Sequence, residues 1–226
     1  MKLKCIFLSI LSAVLVLSSC KQKEEINLTT LLKEMINREQ LTRFPDNSYQ
    51  SLQASSYNRR SVSPEKPGWF ADSDGTGFIR TEMNNGQKEW VLMEDQGPGV
   101  ITRIWTPAFY YSLNDTIGAN IKFYLDGDSV PAINTNFIDL VTGEAFVNPP
   151  FADYTARAGN LYFPIPFEES CKITMDDRSF YNIINYRKYP QGKNIRTFTL
   201  EEFREVAPLR EKVGKRLIQP DRKSVV

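Results

Sequence analysis

The sequence of 226 residues predicts an all-β domain, a jelly-roll β-sandwich with short flanking N- and C-terminal helices. Three observations predict it. Between Gly77 and Phe198, short β-branched and aromatic runs alternate with turn signals. No helical period interrupts those runs. Helical spacing is confined to the two flanks, near Leu28–Ile36 and Leu200–Val213.

Residues 1–19 read as a leader outside the fold. Lys2 and Lys4 give a positive start, and Cys5 to Leu17 is apolar apart from Ser9 and Ser12. That run is shorter than the ~20 residues a membrane-spanning helix needs, so it reads as a signal peptide. Leu17-Ser18-Ser19-Cys20 resembles a bacterial lipobox, with Cys20 as the lipidated residue and new N-terminus. An ordinary signal peptide with a chance cysteine is the alternative. Residues 20–27 then form a tether, and Lys21-Gln22-Lys23-Glu24-Glu25 resembles the surface-export signal of Bacteroidota lipoproteins. The expected place is the outer membrane, held by the lipid at Cys20, on the cell surface or on the periplasmic side. Removing residues 1–19 takes away Lys2 and Lys4 and moves the side-chain balance from +1 to −1. With no basic excess, nucleic acid is not an expected partner.

The fold elements follow in order. Leu28, Leu31, Leu32, Met35 and Ile36 share one face, which predicts a helix from about Thr29 to Leu41 within a segment 28–45 that Phe44-Pro45-Asp46 ends. The sandwich is expected over 46–198, with eight or nine strands. Phe78–Arg80 and Glu89–Met93 flank an Asn84-Asn85-Gly86 turn, and Gly97-Pro98-Gly99 leads into Val100–Thr106. Ile121–Leu125 ends at the Asp126-Gly127 turn. Val130–Phe137, Leu161–Phe167, Cys171–Met175 and Phe180–Tyr189 complete the set. Pro164 and Pro166 belong at an edge or bulge, because proline cannot donate to a ladder. Thr199 and Glu202 predict a capping box opening a linking helix over 199–220, which Pro208 kinks or restarts. Residues 221–226 carry no structural signal.

The chain contains no histidine. That excludes Ser-His-Asp and Cys-His catalysis and His-ligated metals. There is no phosphate-binding glycine loop and no complete calcium loop, since Asp72-x-Asp74-Gly75 lacks its later ligands. No metal and no cofactor is expected. With Cys20 lipidated, Cys171 is the only thiol left, and its strand-like setting reads as a buried apolar position. Glycoside hydrolysis needs two facing carboxylates. Glu82, Glu89, Glu94, Asp95, Asp126, Asp139, Glu144 and Asp153 lie in the β region, but sequence spacing pairs none of them.

Residues 55–78, SSYNRRSVSPEKPGWFADSDGTGF, have neither strand nor helix period. Sugar rings pack on aromatic faces, and their hydroxyls seek forked, charged partners. Tyr57, Asn58, Arg59 and Asp72 supply both, and Trp105 is one of many further aromatics placed at loops and strand ends. A loop sealing the end of the sandwich is the competing reading of the same residues.

The blocks SSYNRRSVSPEKPGWFADSDGTGFIRTE, GPGVITRIWTP, FYLDG, YFPIPFEESCKI and INYRKYP occur in this order. Together, over about Ser55 to Pro220, they resemble the glycoside hydrolase family of α-D-fructofuranosidases and difructose-dianhydride-converting enzymes, especially its lipoprotein branch in gut Bacteroidota. The resemblance implies that the domain is the first half of a double jelly roll. It also implies retaining chemistry through two glutamates, trimers or hexamers of the full-length protein, and α-linked fructofuranosides or D-arabinofuranosides as substrates. In that family the catalytic glutamates lie in the second jelly roll, so no catalytic residue is expected in this chain, which is expected to be inactive alone. The resemblance assigns Tyr57, Asn58, Arg59, Asp72 and Trp105 to a substrate-contacting wall. The alternative function is a non-catalytic carbohydrate-binding β-sandwich lipoprotein or an assembly subunit.

Overall fold

The computed structural model describes residues 25–45, 48–69, 77–107, 118–177 and 181–219. The expected leader, Cys20, Asp72 and the residues from 220 onward lie outside these residues. Two antiparallel sheets face each other in a jelly-roll sandwich. The six-stranded sheet contains β1 (Gln50–Ser55), β11 (Ile183–Lys188), β4 (Gly99–Thr106), β8 (Ala158–Leu161) and β7 (Ala152–Thr155) in that order. Its last member, β9 (Ile165–Phe167), pairs with β4. The five-stranded sheet runs β2 (Arg80–Asn84), β3 (Gln87–Gln96), β10 (Ser170–Met175), β5 (Asn120–Leu125), β6 (Ile133–Asn136).

Alternation sends every second side chain into the space between the sheets. Ile101, Ile104 and Ile184 from one sheet meet Ile121, Phe123 and Ile173 from the other, all at 0% exposure. Two irregularities adjust that alternation. The β4–β11 register skips Thr102, and the β3–β10 register skips Leu92. Each extra residue reverses the phase of the strand beyond it. The β2–β3 turn uses Asn85 and Gly86 at φ 51° and 80°, as a tight hairpin requires.

The structure departs from the sequence reading in several places, and β7 was not among the expected strands. Strand β1 was not expected, because QSLQAS offers only Leu52 and Ala54 to the core and no β-branched or aromatic residue. The stretch Val130–Phe137 is strand only at β6, and Phe137–Thr142 is a helix, α2, capped by the Asn136 side chain and closed by Gly143 at φ 86°. Leu161–Phe167 divides into the end of β8 and β9, with the break at Tyr162–Pro164. The first helix, α1, covers only Leu28–Glu34, followed by a 3-10 turn at Arg38–Thr42. Asn37 interrupts it in an extended conformation, in keeping with the poor helix propensity of asparagine.

At the far end, α3 (Leu200–Glu205) and α4 (Ala207–Ile218) meet at Val206, with Pro208 in the first turn of α4. Thr199 Oγ1 accepts from the Glu202 amide at 3.1 Å. Glu202 does not close the expected box. Its carboxylate turns to the Leu28 and Thr29 amides at the start of α1. Burial pushes this carboxyl up, against the pull of Arg196 and those amides. Ile26 also bridges to Ile195, and Arg196 pairs with Glu25. The N-terminal segment is thereby fixed over part of the six-stranded sheet's outer face, where Ile26, Leu31, Val100, Tyr189 and Ile195 form a second apolar cluster.

The outer face of the five-stranded sheet carries an ion network. Glu89 is 1% exposed and accepts from Lys122 Nζ at 2.6 Å, Thr174 Oγ1 at 2.6 Å, Asn84 Nδ2 at 2.8 Å and the Tyr124 hydroxyl at 3.0 Å. Burial alone would raise the Glu89 carboxyl; the donors outweigh it and hold the group below the ordinary carboxylate range. Burial and the hydrogen bond to Glu89 push the Tyr124 hydroxyl up to about 12. The network continues through Asn84 to Glu82, Lys172, Arg80 and Glu94. Glu82 and Asp95 are likewise held low, by Lys172 and Asn84 and by Lys188 and Tyr186, each against the effect of burial.

Removing one partner of a buried pair strands the other. Glu89→Ala is therefore expected to cost about 3–5 kcal/mol, read by chemical denaturation. The acid response has a definite sign. Carboxyls depressed in the folded state contribute stability that is present above about pH 4 and lost as pH falls through their lower folded values. Wild-type melting temperature should fall in that acid window, and Glu89→Gln should flatten the fall; equal slopes would remove Glu89 from the explanation.

Candidate functional site

The outer face of the six-stranded sheet is divided between two surroundings. The α1 segment reaches Val100 and, through the Glu34–Arg187 pair at 2.6 Å, β11. Beyond these contacts the extra residue at Thr102 sets the phase of β4. Ile101 and Ile104 both enter the core, and Arg103 and Trp105 both point outward. Cross-strand register then defines two rows on the same face. One row is Ser55, Ile183, Trp105, Asn160 and Asp153. The other begins Gln53, Asn185, Arg103, with Tyr162 just past the end of β8. Trp105, Arg103, Ile183 and Asn185 are half-buried, and Gln53, Asp153 and Tyr162 are exposed.

The residues singled out in the sequence fall in this region, with one exception. Trp105 lies two strands from Ser55, about 10 Å across the sheet. Tyr57 and Arg59 follow directly as β1 leaves the sheet. Tyr57 is 59% exposed, and the Arg59 guanidinium lies over its ring at 4.7 Å. Arg59 Nη2 donates to the Ser55 carbonyl at 3.4 Å, and its Nη1 is buried without a hydrogen-bond partner. Asn58 is used within the loop: its Oδ1 accepts from the Arg60 amide at 3.0 Å. Ser61 donates to the Gly68 and Trp69 carbonyls and closes the loop. Asp72 lies outside the described residues.

Sequence reasoning did not single out Asn160, Arg103, Tyr162 or Asn182. Asn160 is 4% exposed although it points outward. Its Oδ1 accepts from Arg103 Nη2 at 3.1 Å and from the Tyr162 hydroxyl at 3.3 Å; its Nδ2 donates to Thr155 Oγ1 at 3.3 Å and the Ala158 carbonyl at 3.2 Å. Asn182 is 2% exposed, bonded through its backbone to Ser56, and both polar atoms of its side chain are without a partner. The β7–β8 turn beside Asn160 holds Ala156 and Arg157 at φ 50° and 66°. Such left-handed non-glycine residues cost about 1–2 kcal/mol each.

Among the described residues, on either sheet, carboxylates do not form a catalytic centre. Glu82 and Glu89 come closest to a pair, since both accept from the single Asn84 amide nitrogen, at 2.9 and 2.8 Å. That places them near the ~5–5.5 Å spacing of a retaining glycosidase. Their chemistry does not fit: both are held ionised by lysines, so neither retains a proton to donate. Cys171 is fully buried, and burial pushes its thiol up, with Asp126 and Asp95 adding to the shift. Among the described residues no cluster of acids and cysteine could hold a metal ion. What the outer face does offer is aromatic surface, a guanidinium and amides on a rigid sheet, the groups that bind sugar rings and hydroxyls.

Asn160 is the keystone of that surface. Asn160→Ala is expected to cost about 1–3 kcal/mol, because it removes the hydrogen bonds of a buried side chain, the one to the buried Ala158 carbonyl among them. At roughly 2–4 °C per kcal/mol for a chain of this size, thermal unfolding resolves the loss.

No curated protein matches the chain. A family profile described as GH172 first beta-sandwich domain matches residues 47–206, which span both sheets and the outer face just described. The chain belongs to GH172, the glycoside hydrolase family related to difructose dianhydride conversion, and carries its first β-sandwich domain.

Proposed function

We propose that this domain forms part of the substrate-contacting wall of a cell-surface glycoside hydrolase acting on α-linked fructofuranosides or related D-arabinofuranosides. The observation that carries the reading is the placement of Trp105 and the Tyr57–Arg59 loop at one end of the same outer sheet face. Tyr57 and Trp105 offer stacking surface for a furanose ring, and Arg59 offers N–H groups for its hydroxyls. Asn58 shapes the loop. Asp72 belongs to the same proposed wall by its sequence position. The reading includes a lipid anchor at Cys20, an outer-membrane location and trimers or hexamers of the full-length protein.

A second reading is favoured by one observation. Glu82, Glu89 and Asp95 are each locked in ion pairs, and Glu202, whose carboxyl is raised, is engaged with the start of α1. On this reading the domain binds saccharide without turning it over. Both readings predict binding, and turnover tests whether catalysis lies within this chain. The full chain in mild detergent should bind fructan or arabinan saturably in calorimetry and leave 4-nitrophenyl α-furanosides intact. Trp105→Ala should weaken binding roughly tenfold, the effect of about 1.4 kcal/mol of lost stacking. Turnover abolished by replacing one carboxylate would place catalysis within this chain. Absence of any saccharide binding would overturn both readings.

A further inference from the structure

The guanidinium of Arg103 is held in a setting unlike those of the other arginines fixed on sheet faces. Arg80 and Arg187 each meet a carboxylate. Arg103 is half-buried, and no carboxylate among the described residues pairs with it. Neutral groups fix it instead: one N–H goes to Asn160 Oδ1 at 3.1 Å, and the guanidinium lies 5.8 Å from the centre of the Tyr162 ring. Asn160 is itself immobilised by its other bonds, to Thr155 and Ala158. The fork is therefore pre-oriented, and among the described residues its charge is uncompensated and its remaining donors are unspent.

Trp105 stands two residues further along the same strand and on the same face, about 7 Å away. That distance suits one sugar ring. The nearest carboxylate along these rows, Asp153, lies in register with Asn160 and Trp105, on the far strand of the sheet.

We propose that Arg103, held by Asn160 and Tyr162 beside Trp105, is a subsite for a carboxylate-bearing sugar residue. The ring stacks on Trp105 and the carboxylate takes the free edge of the guanidinium. A guanidinium presents donors and no acceptor, and its planar fork matches two carboxylate oxygens. A neutral sugar hydroxyl leaves the positive charge uncompensated; a uronate neutralises it. Partial burial strengthens that pairing relative to an exposed one. The inference rests on the outer face contacting saccharide and adds to it the charge of one residue in the bound chain.

The test is titration calorimetry of the full chain with trigalacturonate and, separately, with neutral galactotriose of the same length. The expected result is at least about tenfold tighter binding of the acidic trimer, the effect of one charge-assisted hydrogen-bonded pair. Arg103→Gln should abolish the preference, bringing the affinity for the acidic trimer to that for the neutral one measured on the same variant. Arg103→Lys keeps the charge, loses the fork and should keep only part of the preference; thermal unfolding of both variants checks the fold. Arg204→Gln, on the exposed side of α3, should leave the preference intact and so exclude general attraction of anions. Equal affinity for the two trimers overturns the proposal, as does a preference that survives Arg103→Gln. If neither trimer binds while fructan or arabinan does, this inference alone fails; if none of them binds, the saccharide reading of the face fails with it.

Discussion

One extra residue in the middle of β4 governs what both faces of the six-stranded sheet can be. Strict alternation through VITRIWT would place Ile101, Arg103 and Trp105 together and put Ile104 on the other side. Skipping Thr102 lets Ile101 and Ile104 share the core, where both are fully buried, and sends Arg103 and Trp105 outward. The bulge is held by its own bond, Thr102 Oγ1 to the Asn185 carbonyl at 3.1 Å. Because β4 pairs with β11, β8 and β9, that one phase change is transmitted to every neighbour that lines the site.

The two outer faces of the sandwich solve the same electrostatic problem in opposite ways. On the five-stranded sheet, charges are matched and saturated: Glu89 has four donors and Lys122 has two acceptors. Such a surface is rigid and has little left to offer a ligand. On the six-stranded sheet, beyond the Arg187–Glu34 pair, the polar groups are mostly neutral amides, and among the described residues Arg103 has spent only part of its capacity. Recognition needs groups that are fixed yet incompletely used, and the second face meets both conditions.

The strands with a strong chemical signature were legible in the sequence. VITRIWT, IKFYL and CKITM are β-branched or aromatic, and Asn85-Gly86 marks its own turn. Strand β1 was hidden because an edge strand that pairs only with β11 needs few apolar residues to be held in place. Helix α2 was hidden because FIDLVT reads equally as a strand, and its identity depends on the Asn136 cap and the Gly143 stop. In the site, Tyr57, Arg59 and Trp105 could be named from residue type. Asn160 and Asn182 could not, since their importance lies in burial and in bonds to residues far along the chain. Arg103 was readable only as one member of a strand, because the phase of that strand is set by a bulge that leaves no mark in composition.

The clasp between α1 and the chain before α3 also fixes an order of events. Glu25 and Arg196, which pair across it, are separated by 171 positions. Such distant contacts form slowly, and none can form before both partners exist. During synthesis the earliest part of the fold to leave the ribosome must wait for nearly the whole domain. Until β11 and the segment through Ile195 have emerged, Ile26, Leu31 and Val100 lack the partners that cover them in the folded domain. For that interval the nascent chain leaves exposed apolar side chains that the folded domain buries.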